Sequence, residues 1–314
     1  MSKSQTKENI SQYIQDNKLG DEDILWRILW GKKSTIIIIS FLFAIASIFF
    51  ALSKPNIYRA STILAPASSE NGSGGLAALA GQFGGLASMA GINLAGSSTN
   101  NTALALQIIR SRSFLENFIT KHELLVPLIA AKEWDMSSGK LLLDTEMYDE
   151  HNQQWIRQVK APKKTIPSNW EGYSEFLELL TVSQDEKTSM VSIAIEFYSP
   201  VLAKQWLSWL VSDINEFMKI QDQREAEASI IYLNEQLSKI QLSSMKTVFH
   251  QLIEEQTKNM MLAHVRDEYV LKTIDPAQVP EIKDKPKRAL IVIIGTLLGS
   301  FLSVLLVLIR YYMK

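Results

Sequence analysis

Two stretches of this 314-residue chain hold no charged side chain and are almost wholly apolar: Ser34–Leu52, 19 residues, and Ala289–Ile309, 21 residues. At about 1.5 Å of rise per residue each makes a helix of roughly 28 to 32 Å, the thickness of a hydrocarbon core of about 30 Å. Both are predicted to be transmembrane helices. The chain then divides into 1–33, 34–52 (first span), 53–288, 289–309 (second span) and 310–314, and two crossings put both ends on one face of the membrane. The first run follows a charged segment and has no small-x-small cleavage pattern behind it. It reads as a retained signal-anchor, which makes 1–33 and 310–314 cytoplasmic. The Lys/Arg rule is silent on orientation: Arg27, Lys32, Lys33, Arg310 and Lys314 flank one side, and Lys54, Arg59, Lys283, Lys285, Lys287 and Arg288 the other. Long loops are largely exempt from that rule.

Only the 236 residues of 53–288 are long enough for a sizeable core. They carry 24 Lys+Arg against 28 Asp+Glu, which excludes a nucleic-acid binder driven by bulk charge. The two apolar runs exclude a soluble enzyme, and the absence of cysteine excludes disulfides, Cys-zinc sites and thiol catalysis. His122, His151, His250 and His264 have no metal-ligand spacing. Gly31-Lys32-Lys33-Ser34 lacks the spacing of a P-loop, and no G-x-S-x-G elbow occurs. Two S-x-x-K matches, Ser137–Lys140 and Ser243–Lys246, have the frequency of chance. No catalytic residue, metal ligand or cofactor is predicted, and the chain is read as a non-enzyme.

Asp21–Trp30 reads as a short amphipathic helix with acidic residues at its start. Trp26 and Trp30, with Lys32 and Lys33, have the aromatic-plus-basic composition of a membrane-interface anchor. Beyond the first span, Tyr58–Ala65 is rich in β-branched residues and is predicted to be a strand. Gly72–Gly96 holds eight of the fourteen glycines. Asn71–Ile109 is uncharged, but so many glycines oppose a third crossing helix, and a flexible apolar loop is expected. Helices are predicted from about Thr102, capped by Asn100 or Asn101, and over Ser113–Lys121, Leu124–Glu133 and Leu141–Val159, with Ala161–Ser168 as a linker. Phe176–Val182 and Met190–Phe197 read as an antiparallel strand pair.

Val201–Val265 has no Gly or Pro. Leu207, Leu210, Ile214 and Phe217 recur at 3-4-3 spacing, as do Ile230, Leu233, Leu237 and Ile240. The segment is a coiled-coil-like helical extension over about 200–265, either one helix of roughly 98 Å or a hairpin folding back near Leu242–Met245. Glu268–Ile274 reads as a returning strand. Asp275–Arg288 carries Pro276, Pro280 and Pro286 beside Lys287, a composition that gives an extended membrane connector. In the second span Gly295 and Gly299 form a G-x-x-x-G, and Ser303 extends the small face by one turn. Such a face lets helices approach closely in lipid; its partner is either another copy of the chain or the first span, where Ala44, Ser47 and Ala51 are small.

The order of these parts, DEDILWRILWGKK, a span, YRASTILAP, a helical middle, then DPAQVPEIKDKPKRA running into a span with GTLLG, resembles the Wzz family of chain length determinant proteins, polysaccharide co-polymerases without a kinase domain. The resemblance covers the whole chain. Pro276, Pro280, Pro286, Lys287, Gly295 and Gly299 fall where the family's proline-rich and glycine motif lies, with looser proline spacing. The resemblance implies an α+β membrane protein in which two transmembrane helices flank a periplasmic α/β base domain bearing the helical extension. It also implies the bacterial inner membrane, with both termini cytoplasmic. Such a protein would regulate the length of O-antigen of lipopolysaccharide, or a related surface glycan. Its partners would be copies of itself in a ring-like homo-oligomer, a Wzy-type polymerase, nascent lipid-linked polysaccharide and the lipid bilayer. The competing expectation is a periplasmic adaptor for polysaccharide export or envelope assembly.

Overall fold

A computed structural model describes residues 30, 32–67, 98–240 and 242–313. Asp21–Leu29 of the amphipathic segment, Trp26 within it, and the Gly72–Gly96 tract lie outside the described residues. The chain divides into two compact units, one of the terminal segments through Pro55 and from Lys285, the other of Asn56–Asp284.

The terminal unit is a pair of apolar helices, α1 (Lys33–Ser53) and α8 (Arg288–Tyr312). Both are long and apolar enough to cross a bilayer. Their bounds exceed the predicted spans by one to three residues because the charged, polar and tyrosine residues at the ends, which the uncharged apolar runs leave out, still take helical backbone.

The larger unit is built on a four-stranded antiparallel sheet ordered β6-β7-β1-β8, from β1 (Tyr58–Pro66), β6 (Leu180–Gln184), β7 (Val191–Phe197) and β8 (Leu271–Asp275). β1 alternates buried Tyr58, Ala60, Thr62 and Leu64 with exposed Arg59, Ser61 and Ile63, as a strand covered on one face must. Tyr58 pairs with Phe197 and Leu64 with Val191, so the two buried faces coincide. On that face lie α2 (Ser98–Arg110), α3 (Arg112–Lys121), α4 (Leu125–Ile129), α5 (Asn169–Leu179) and the first half of α6 (Pro200–Lys239). Trp206 is the hub: its ring stands 4.4 Å from Phe197 and 6.1 Å from Phe176, which in turn meets Phe118 edge-on at 5.3 Å.

Several local expectations are overturned. The first of these helices starts at Ser98, before Thr102, so Asn100 and Asn101 lie inside it and not at its cap. Leu124–Glu133 is helical only over α4; Ala131–Asp135 is β2, paired with β3 (Lys140–Leu143). Asp135 closes that hairpin by accepting from Ser137 N and from the hydroxyls of Ser137 and Ser138, while Gly139 takes φ +63°. Leu141–Val159 is not a helix: β3 is followed by the short strands β4 (Tyr148–Asp149) and β5 (Gln154–Trp155). Here Asp144 accepts from Glu146 N, and Asp149 from His151 N and Asn152 N, turns that compete with helical backbone bonding. Phe176–Leu179 belongs to α5, nucleated by the Ser168–Glu171 capping box, and the strand begins only at Leu180.

The long apolar segment is a hairpin. α6 runs 40 residues from Pro200, whose N-cap Ser199 accepts from Leu202 N; it stops at Ile240, and α7 (Ser243–Val265) follows. Lys219 donates to the carbonyls of His264 and Arg266, at 3.2 and 3.4 Å. Residue 219 therefore lies beside 264, and the point midway between them along the chain is the break at 240–242. The buried stripe of α6 changes face along its length. Ala203, Trp206, Leu207, Leu210, Ile214 and Met218 serve the sheet, then Ala226 and Leu233 are buried in the half that pairs with α7, where Ala263 is buried.

Candidate functional site

The small residues of the second span pack against the first. A Cβ on Gly295 would strike Ser47, reaching its Cβ at 2.8 Å, and one on Gly299 would strike Phe43, reaching its Cγ at 2.6 Å. Ser303 is fully buried, donating to the Ser300 carbonyl at 2.7 Å, and Val307 is nearly so. Residues 295, 299, 303 and 307 make one face at four-residue spacing. Its partner at Gly295 and Gly299 is the first span of the same chain, with Ala51 buried toward the other end of that span.

The connector motif is divided. Pro276 is exposed and Pro280 partly so, and 276–284 has no helix or strand. Its end is tied to the start of β1 by Asp284 N donating to Ile57 O at 2.9 Å and by Lys283 Nζ to Asn56 Oδ1 at 3.2 Å. Pro286 and Lys287 open α8, their carbonyls accepting from Arg288 N and Ile291 N. Of the anchor residues, Trp26 lies outside the described residues. Trp30 is exposed with Lys33 Nζ 6.0 Å above its ring, and the Lys32 carbonyl accepts from Thr35 N and Ile36 N at the start of α1.

Three further constellations were invisible to motif reading. At the hairpin root, Asn215 is buried: its Oδ1 accepts from Val270 N and Leu271 N at 2.8 and 2.9 Å, and its Nδ2 donates to Leu271 O at 2.9 Å. One amide thus fastens the returning strand to the outgoing helix. Two turns along α6, Tyr269 donates to Asp222 Oδ2 at 2.7 Å. Burial raises the Asp222 carboxyl above its usual value, with the Tyr269 bond opposing and Glu225 reinforcing, and burial together with Asp222 raises the Tyr269 phenol. In the base, Arg157 grips Glu171 bidentately at 2.8 and 2.9 Å and also donates to the carbonyls of Lys164 and Thr165, pinning the expected linker to α5. Hydrogen bonding from Arg157 lowers the Glu171 pKa against the cost of burial.

A fourth cluster joins α3 to α6. His122 stacks on Trp209 at 4.4 Å and its Nε2 lies 2.9 Å from Asp213, while Lys121 reaches Asp213 and Glu216 at 3.0 and 3.1 Å. The Asp213 bond raises the Lys121 pKa. At the turn of β2 and β3 the Ser138 and Ser137 hydroxyls push Asp135 down to about 2. Lys121 thus ties the end of α3 to α6, and Asp135 fixes its own turn.

Two family models match the chain: Wzz, chain length determinant protein, over residues 23–122, and GNVR, a G-rich domain on a tyrosine kinase, over 240–312. Together they take in more than half of it, including both spans, β1 and α7. Among solved structures the chain is similar to a full-length bacterial polysaccharide co-polymerase, at 13% identity and TM-score 0.37, with 92% of this chain and 96% of that one covered. It is also similar to a fragment of WzzB, the polysaccharide co-polymerase from Salmonella Typhimurium, at 13% identity and TM-score 0.31, with 73% and 100% covered. No curated protein matches.

Proposed function

Because this chain belongs to the Wzz family of chain length determinant proteins and so regulates the length of a polysaccharide, we propose that it sets the modal length of O-antigen, or of a related surface glycan, as an oligomeric scaffold that modulates a Wzy-type polymerase. The observation that carries this reading is the hairpin rooted through Asn215 in a base whose chain continues at both ends into membrane spans. Among the described residues two helices are long and apolar enough to cross a membrane; in this reading they lie in the inner membrane, with the large unit periplasmic and both termini cytoplasmic. The polymer is made by the polymerase and not by this chain, whose ionisable clusters serve structure.

Self-association is assigned to the exposed side of α6. Phe217, Ile220, Ala228 and Ile231 recur at helical spacing and are exposed, with Arg224 among them. Copies packed side by side through such a strip would close a ring in the plane of the membrane. Lipid-linked glycan, still attached to the polymerase, would then meet a wall of helices.

The experiment is a silver-stained lipopolysaccharide gel from a deletion strain. The expected outcome is a changed distribution of lengths with polymer still made. Loss of all polymer would instead assign the chain to synthesis or export.

A further inference from the structure

The four-stranded sheet ends in two edges, β6 and β8. An edge strand offers its outward N–H and C=O groups to any extended chain, and a second copy brings the same strand. In an antiparallel ladder the two backbone groups of one residue point the same way, and alternate residues point outward. On β8 the outward residues are Leu271 and Thr273, because their amides go to side chains and not to β1. Leu271 N and O are both held by the Asn215 amide, and Thr273 N donates to Glu268 Oε1 at 2.9 Å. Three of the four groups these two residues turn outward are therefore filled from outside the sheet. On the other edge, the Val182 carbonyl of β6 accepts from Arg110 at the end of α2.

The two side chains on β8 differ in kind. Asn215 is buried and belongs to the hairpin root. Glu268 is exposed and reaches five positions along its own chain to a single amide, a contact that joins no two elements of the core. Without it, Thr273 would turn an N–H and a C=O outward side by side. Those are the two groups that a residue exchanges with its own copy across a two-fold axis in a hydrogen-bonded antiparallel pair. Ile274, 53% exposed on the same strand, has the β-branched apolar side chain that favours such pairing.

We propose that Glu268 guards the β8 edge: its carboxylate occupies the Thr273 amide and so stops the β8 strands of two copies from pairing about Thr273. The contact is autoinhibitory, since it withholds a strand edge that the fold would otherwise present. It acts on a different element from the exposed side of α6 and does not depend on which glycan the chain serves.

The chain has no cysteine, so a single Thr273→Cys substitution in the full chain reports the contact by oxidation in detergent micelles. Residues paired across the axis at this position would stand about 5.5 Å apart at Cα, within reach of a disulfide. Glu268→Ala/Thr273→Cys should give roughly tenfold more covalent dimer than Thr273→Cys alone, the contribution of two backbone hydrogen bonds at the low end of their net strength. Glu268→Gln/Thr273→Cys keeps an oxygen that accepts from residue 273 and should stay at the level of Thr273→Cys. All three should share one thermal midpoint. Equal dimer with and without Glu268→Ala would overturn the proposal. So would a Gln variant that dimerises like the Ala variant, which would assign the effect to charge, or an excess of dimer that comes with a lowered midpoint, which would assign it to unfolding.

Discussion

The Asn215 amide concentrates the hairpin's attachment in one side chain. A leucine of similar volume would leave Val270 N, Leu271 N and Leu271 O without those partners in a buried setting, where each orphaned group costs about 1–3 kcal/mol. Asn215→Leu is expected to lower the thermal midpoint of the purified chain by several degrees, and faster amide exchange at Val270 and Leu271 is the sign that the clasp itself has failed. Two carboxylates give opposite pH slopes. The folded pKa of Glu171 lies below its ordinary 4.5, so its contribution is complete above about that pH and drains away on acidification below it. The folded pKa of Asp222 lies above its ordinary 3.8, so stability falls as pH rises from there through the raised value. Asp222→Asn should abolish that second slope and keep the Tyr269 bond. Denaturation midpoints across mildly acidic pH would check both signs. Of these residues only Glu171 had a readable signal, the S-x-x-E of its capping box; nothing local marks Asn215, whose partners lie 55 and 56 positions away.

Elements were legible where one environment acts on a whole run. Lipid demands an unbroken apolar stretch, so both spans can be read directly from composition. Strand β1 alternates because one face is covered. The regions 124–133 and 141–159 misled because apolar spacing there suits a helix while Asp135, Asp144 and Asp149 fold the backbone into turns. The break at 240–242 has neither Gly nor Pro; it is fixed by the match of residues 219 and 264 at the root. For the spans, Gly295→Leu with Gly299→Leu should force the helices apart, since each new side chain meets Ser47 or Phe43. Spin labels on the exposed ends of α1 and α8 would report an increased separation, and an unchanged distance would show that the Gly face is not what sets it.

At the scale of the molecule, the exposed side of α6 and the membrane pair act in different places, so they can be disabled separately. Ile220→Asp with Ile231→Asp adds charge to exposed positions and should leave the fold intact while shifting detergent-extracted protein to smaller species. The polysaccharide length distribution should move with it. A smaller species with unaltered lengths would separate assembly from regulation. The large unit's layout was legible as an α/β base with a helical extension, but its hub was not: Trp206 sits in a run whose spacing points to Leu207 and Leu210, and only the meeting of Phe197, Phe176 and Phe118 makes it central.

Helix α6 belongs to two environments at once, seated on the sheet along its first half and zipped to α7 along its second, with no break between them. From Trp206 to Ile240 it is a strut of roughly 50 Å. A load borne at the far tip cannot be absorbed by a joint partway down. It arrives beneath the sheet as a tilt of the aromatic pivot, so crowding at the tip and posture at the floor are one mechanical variable.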